Sequence, residues 1–406
     1  SMTLMYESLA LLAGFVLLYS LVARGVERTW VSGPIVFTVF GLLIGPMGLD
    51  LLSFETERET LKTLAELTLA LVLFTDAADA DLGVLRRSAR LPFRLLVIGL
   101  PLTIALGYLT GLLLSIHMST LEVALVATML APTDAALGKA VITNTAVPDD
   151  VRQGLNVESG LNDGICVPIL FIFLALAQDT GPGAVPWSHA LALVAEEIGI
   201  GLAVGVVLSL LAVQLLGYAG RHQWLTPTWL QIPVVALALT CFATAQSLGG
   251  SGFIASFAGG LLFGGLARQH REMLLRAAEG TGDTFALITW VIFGSAVIGQ
   301  ALGYFNWRLF LYAVLSLTLI RMLPVFISLT GSGLNTESKF FIGWFGPRGL
   351  ASIVFGVIVV NANLPNSNAM AVVVVFTVIL SILAHGITAN PWARAYGKRM
   401  QGNRVE

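Results

Sequence analysis

Apolar residues run along this chain in blocks of roughly 20, the length that crosses a hydrocarbon layer about 30 Å thick. They do not form the narrow stripes of a soluble helix bundle. Thirteen blocks stand out, at 4–23, 31–49, 60–80, 92–115, 120–145, 153–178, 188–217, 229–248, 252–268, 284–304, 307–330, 338–361 and 367–389. They predict an all-α polytopic membrane protein of about 13 transmembrane helices. The division at Gly249-Gly250-Ser251-Gly252 is the least marked, since one bent helix there would leave twelve. No stretch left over could form a soluble domain, so 1–406 reads as one transmembrane domain, with a short cytoplasmic tail at 390–406. The first block has no basic residue before it and no small-residue cleavage site after it. It therefore reads as a span and not as a signal peptide, and Ser1 ahead of Met2 reads as a cloning scar.

Composition agrees with this pattern. The chain is 56% hydrophobic and 11% charged, against about 25% charged for a soluble domain. A net charge of −2 gives no basic field for nucleic acid. Cys166 and Cys241 both lie in apolar blocks, and two cysteines make neither a disulfide framework nor a zinc site. The placement of basic residues is more informative. Of the 22 Lys and Arg, seventeen fall in the tail and in loops after odd-numbered spans, among them Arg28, Arg86, Arg87, Arg268 and Arg404. Three (Arg58, Lys62 and Arg308) fall on the other side, and Arg321 and Arg348 fall inside spans. This positive-inside bias predicts an outside N-terminus and a cytoplasmic C-terminus.

An ionisable side chain near the bilayer centre costs at least about 2.5–3.5 kcal/mol. Glu66, Asp76, Asp79, Asp134, Glu158, Asp163, Arg321 and Arg348 are such residues. For Asp79 an interior ion pair is the favoured reading, and for Glu66 the choice stays open. Asp134, Glu158 and Asp163 sit mid-span among helix-breaking or small residues. In Ala131-Pro132-Thr133-Asp134 the proline removes a backbone donor, and an interrupted helix survives in lipid only where it lines a cavity. Gly346-Pro347-Arg348-Gly349 interrupts span 12 in the same way. Spans 5 and 12 are seven apart and so run in opposite directions. That pattern predicts two inverted repeats, at about 4–178 and 229–389, joined by a connector helix at 188–217. Paired interruptions of this kind point to a transporter's binding site.

The densest chemistry is Asn156-Val157-Glu158-Ser159-Gly160-Leu161-Asn162-Asp163-Gly164 in span 6. Ser159 and Asp163 share one helix face, as do Glu158 and Asn162. The segment offers hard oxygen donors, which suit an alkali cation better than a soft metal.

Thr133-Asp134 on a broken span 5, with Glu158-Ser159 and Asn162-Asp163 on span 6, resembles the signature of sodium/proton antiporters. The resemblance is to the NhaP type, in the branch that includes animal sodium/hydrogen exchangers. Weaker matches are Phe74-Thr75-Asp76-Ala77, Leu319-Ile320-Arg321 and Pro347-Arg348-Gly349. The resemblance implies that Asp163 carries the cation or the proton, and that Asp134 and Ser159 join it as ligands of Na+. It implies contributions from Thr133 at the unwound crossing and from Asp76 on span 3, with Asn162 as the first member of an Asn-Asp pair. It further implies a structural Glu158–Arg321 ion pair and an Arg348 that compensates helix-end dipoles. Asparagine at 162 goes with electroneutral exchange in this superfamily. The implied fold is a mobile core beside a scaffold, in a homodimer whose contact involves spans 1, 7 and 8. The implied mechanism is alternating access in the cell membrane, serving pH homeostasis. No resident cofactor is implied, because Na+ (with Li+ a further candidate) and H+ are cargo; membrane lipid is the remaining partner. Many relatives carry a cytoplasmic regulatory domain after the last span, so this form is either short or truncated.

Potassium/proton exchange on the same fold is the alternative, and a channel or sensor is a more distant one. An enzyme reading lacks support: there is no His-Glu-x-x-His and no Gly-x-Ser-x-Gly, and His385 sits near the end of span 13.

Overall fold

The computed structural model describes residues 2–27, 29, 31–51, 58–80, 90–114, 116–178, 186–267 and 271–402. Arg28, Arg86, Arg87, Arg268 and Arg404 of the charge count, and Ser1, lie outside the described residues. Each of the thirteen apolar blocks lands on a helix or on a pair of half-helices. The first four blocks give α1 (Met2–Glu27), α2 (Gly33–Ile44), α3 (Arg58–Asp79) and α4 (Arg90–Leu113). Block five is broken into α5 (Thr120–Met129) and the short α6 (Lys139–Ile142). Then come α7 (Asp149–Gln178), α8 (Trp187–Arg221), α9 (Trp229–Ser247), α10 (Gly252–Leu266) and α11 (Arg271–Ile292). Block eleven is divided into α12 (Trp307–Leu317) and α13 (Leu319–Ser328), and block twelve into α14 (Thr336–Trp344) and α15 (Leu350–Asn361). The chain closes with α16 (Ser367–Gly402). Among the described residues, seven helical stretches, one of them α12 and α13 taken together, are long and apolar enough to cross a membrane.

The helices sort into two bundles. In one, α10 packs on α3, α8 and α9, while α11 packs on α2 and α3. In the other, α5 packs on α4 and α7, α12 and α15 pack on α16, and α13 packs on α4 and α14. The two meet where α7 touches α3, α8 and α10, and where α15 touches α3. Both halves of the broken spans lie in the second bundle with α7. α1 lies at the periphery: Phe15 and Tyr19 pack on Phe37 of α2, while Leu17, Leu18, Leu21 and Val22 on its other side are exposed.

The Gly249–Gly252 segment separates two helices, so the thirteen-span reading holds over the bent-helix one. Ser251 caps α10 by accepting the Ile254 N–H at 3.3 Å, and its own N–H donates to Glu197 O at 3.0 Å. Those bonds satisfy donors that a fresh helix start leaves open.

Three boundaries differ from the sequence reading. Span 10 begins at Arg271, not 284, and continues through a π turn at Phe293–Val297 to Leu302. Its first half is amphipathic: Leu274, Leu275 and Ala278 are buried in a cluster with Leu71, Phe74 and Ala78, while Glu272 and Glu279 face outward. A hydropathy window averages such a stretch away. Span 11 breaks at Thr318 (φ −107°, ψ −95°), where no glycine or proline marks the site. Finally, the tail is no loose end. α16 runs on through Pro391 to Gly402, with Ala393 and Tyr396 buried. Tyr396 stacks on Phe341 at 4.3 Å between ring centroids, and its hydroxyl lies 2.6 Å from Ser338 Oγ.

Candidate functional site

A broken helix leaves orphan N–H and C=O groups that lipid cannot satisfy. Here the two broken spans satisfy each other. Asp134, in the gap of span 5, donates its N–H to Pro347 O at 2.7 Å in the gap of span 12. Its carboxylate Oδ2 accepts the Leu350 N–H at 2.9 Å, at the first turn of α15, and Oδ1 accepts the Leu137 N–H at 3.0 Å. A carboxylate at the positive end of a half-helix is favourably placed.

Arg348 does the converse. Its Nη1 donates to Ala131 O and to Pro132 O, just beyond the C-terminal end of α5, and Nη2 reaches Ser316 O near the end of α12 at 3.5 Å. Ser352 Oγ donates to Met129 O at 2.8 Å. Arg348 is wholly buried, so its charge is balanced by helix-end carbonyls and not by water. An acid and a base thus occupy opposite ends of the crossing.

The crossing tolerates no side chain at Gly349. A Cβ built there would lie 2.0 Å from Asp134 Oδ2. Gly349→Ala should therefore push Asp134 off the Leu350 N–H and unseat α15. The expected result is loss of transport together with a lower melting temperature in detergent; a stable, active variant would show that the contact is dispensable.

α7 brings the remaining residues to this point. Asn162 clips the unwound segment, its Nδ2 donating to Thr133 Oγ1 at 2.8 Å while its Oδ1 accepts the Thr133 N–H at 3.3 Å. Ser159 Oγ donates to Leu155 O at 2.9 Å and Asn156 O at 3.2 Å, which leaves its lone pairs open. Asp163, one turn later, is buried, and its Oδ1 is shielded from solvent without a hydrogen-bond partner. A buried acceptor left unpaired is costly, and it is the feature that most needs a cation or a proton. Asp76 lies on α3 against the same turn: a Cβ at Gly160 would sit 3.0 Å from Asp76 O, a tight contact, so the glycine eases the close approach of α3 and α7.

Glu158 and Arg321 do form a pair. Arg321 Nη1 and Nη2 grip Oε1 and Oε2 of Glu158, the second at 2.8 Å, and Nη2 also reaches Ile342 O at 3.4 Å. The pair joins α7 to α13 and α14. Glu66 lies 3.7 Å from Lys62 on the preceding turn of α3. Asp79, at the end of α3, is half-buried.

One polar residue was missed. His385 is 1% exposed. Its Nε2 donates to Trp344 O, the last residue of α14, at 2.8 Å, and its Nδ1 lies 2.9 Å from Ser381 Oγ. Ser381 Oγ in turn accepts the Arg348 N–H at 2.7 Å. This relay ties both edges of the span 12 gap to α16. The four-residue spacing of Ser381 and His385 inside an apolar block was the available signal.

Similarity to known proteins covers nearly the whole chain. The K(+)/H(+) antiporter NhaP of Alkalimonas amylolytica is 26% identical over 391 residues, covering 95% of this chain and 66% of that protein. The K(+)/H(+) antiporter NhaP2 of Shewanella oneidensis is 25% identical over 369 residues, covering 89% of this chain and 62% of that protein. This chain thus spans just under two thirds of the length of these relatives. Among solved structures, the sodium proton antiporter MjNhaP1 from Methanocaldococcus jannaschii matches with a TM-score of 0.78 at 20% identity, covering 97% of this chain and 98% of that one. That likeness concerns the fold. Residues 12–395 match the family described as sodium/hydrogen exchanger, transmembrane, and this multi-pass membrane chain belongs to it.

Proposed function

We propose that the chain is a secondary antiporter, and not an enzyme, that exchanges a monovalent cation for protons by alternating access. The observation that carries this reading is the unpaired, buried Oδ1 of Asp163 beside two crossed, interrupted helices. Asp163 is the group for which cation and proton compete. Ser159 Oγ has open lone pairs toward a cation, and each Asp134 oxygen keeps a second lone pair after accepting its backbone N–H. Asp76 approaches from the other bundle, so movement of one bundle against the other opens or closes the site. Asn162 is occupied with Thr133 and does not titrate, so one cation trades for one proton and no net charge moves. Thr133, Glu158, Arg321 and Arg348 hold the frame.

Sodium is the cargo the family resemblance implies. Potassium is the second reading, favoured by the names of the two bacterial relatives. No resident cofactor is called for. The basic loops support an outside N-terminus and a cytoplasmic C-terminus in the cell membrane, and the family resemblance implies a homodimer.

Proteoliposomes test this reading. Sodium, lithium and potassium are each set against a pH gradient, with the potential clamped by potassium and valinomycin in the sodium and lithium series. A cation-driven proton flux whose rate and end point ignore the potential is expected. Its apparent KM for the cation should rise as pH falls, because protons compete for the same oxygen. Cation flux without coupled proton movement would indicate a channel; a rate rising steeply with potential would defeat one-for-one exchange.

A further inference from the structure

Away from the crossing, a cleft of about 540 Å³ opens on the outer side of the second bundle between α4 and α13. It is lined by Arg90, Phe93, Arg94, Ile98, Ile327 and Ser328, with Thr330 at its edge. Its chemistry is graded. Arg90 is exposed at the first turn of α4. Arg94, one turn on, donates from Nη1 to Ser328 O at 3.3 Å and to Thr330 O, which fixes it at the mouth and offsets the carbonyl end of α13. A guanidinium has five N–H donors, and these bonds engage one nitrogen. Beside and beyond the arginines the lining is apolar and open: Phe93 (52% exposed) and Ile327 (51%) flank Arg94, and Ile98 is 41% exposed. Ile98 lies one turn beyond Arg94, in the π turn Leu95–Gly99 of α4. The chain entering this helix reads Arg86-Arg87-Ser88-Ala89-Arg90, so basic residues are concentrated at this end of the span.

We infer that this cleft binds an anionic phospholipid, its phosphate at Arg90 and Arg94 and an acyl chain along Phe93, Ile98 and Ile327. A site with two positive charges, Arg94 held by the end of α13 and Arg90 exposed beside it, and with open apolar residues around and beyond them fits a molecule that is negative at one end and hydrocarbon at the other. Basic clusters at the cytoplasmic end of a span and basic pockets between spans both suit such headgroups. The occupant would bridge α4, which packs on α5, and α13, which carries Arg321. Lipid bound there would therefore brace the bundle that holds Asp134 and Asp163.

The test reads binding and needs no transport, so its failure would leave the exchange reading untouched. The full chain in neutral detergent is titrated with phosphatidylglycerol, with phosphatidylcholine of the same acyl chains, and with inorganic phosphate, while melting temperature is followed. Phosphatidylglycerol should raise the melting temperature, and the other two should not. Arg90→Gln, at an exposed position, should cut that shift by at least half and should lower retention of phosphatidylglycerol in native mass spectrometry to a similar degree. Equal stabilisation by phosphatidylcholine or by inorganic phosphate would overturn the assignment, as would an Arg90→Gln protein that keeps more than half of the wild-type shift and retention.

Discussion

Asp163→Asn should reduce exchange to the level of protein-free vesicles while leaving the protein folded. The substitution keeps the shape of the side chain and removes its exchangeable charge. Little structure depends on the missing charge, because Oδ1 accepts no hydrogen bond. The melting temperature in detergent should therefore stay close to wild type, and neutralising a buried group that lacks a partner can even raise it. Asp134→Asn provides the contrast. Both Asp134 oxygens accept backbone N–H groups, from Leu137 and Leu350. An amide in that place would turn its NH2 toward one of those donors, leaving a buried N–H unsatisfied at about 1–3 kcal/mol. Asp134→Asn should lower both stability and transport, whereas Asp163→Asn should lower transport alone. Exchange surviving in Asp163→Asn near the wild-type rate would remove Asp163 from the carrier role.

How far these features could be read from the chain depended on their range along it. The spans were legible because hydropathy is a local average, and the breaks at 131–134 and 346–349 were legible because Pro132 and Pro347 each remove a donor. The broken span 11 was not. Thr318 carries no glycine or proline signal, and its backbone is set by the company α12 and α13 keep. The first half of α11 was hidden because Glu272, Arg276 and Glu279 offset the leucines that face α3. The Ser159–Asp163 face was evident from helical spacing, but the clip between Asn162 and Thr133 and the cap of Asp134 on Leu350 join residues 29 and 216 positions apart. Only the matched interruptions of the two repeats hinted that such partners meet. His385 was read as an end-of-span residue because hydropathy shows neither the carbonyl of Trp344 nor the backbone of Arg348 that its relay serves.

Arg321→Ala should be among the most destabilising single changes outside the site itself. Glu158 and Arg321 are 2% and 4% exposed, and their contact is two-pronged. Removing one partner strands a charge in a medium that cannot solvate it, at about 3–5 kcal/mol. The loss should appear as a clear fall in melting temperature with both cation-bound and cation-free protein. It should also lower transport, because Glu158 directly precedes Ser159 and anchors the turn that carries it. A double variant separates the stranded charge from the lost contact. Glu158→Gln with Arg321→Gln removes both charges, so it should recover a large part of the stability that either single change loses. That non-additivity is the signature of two groups in direct contact. Independent, additive effects of the two substitutions, or an unchanged melting temperature in Arg321→Ala, would mean that the pair does not hold α7 to α13 and α14. The site helix would then have to be held by its packing and by the Asn162–Thr133 clip.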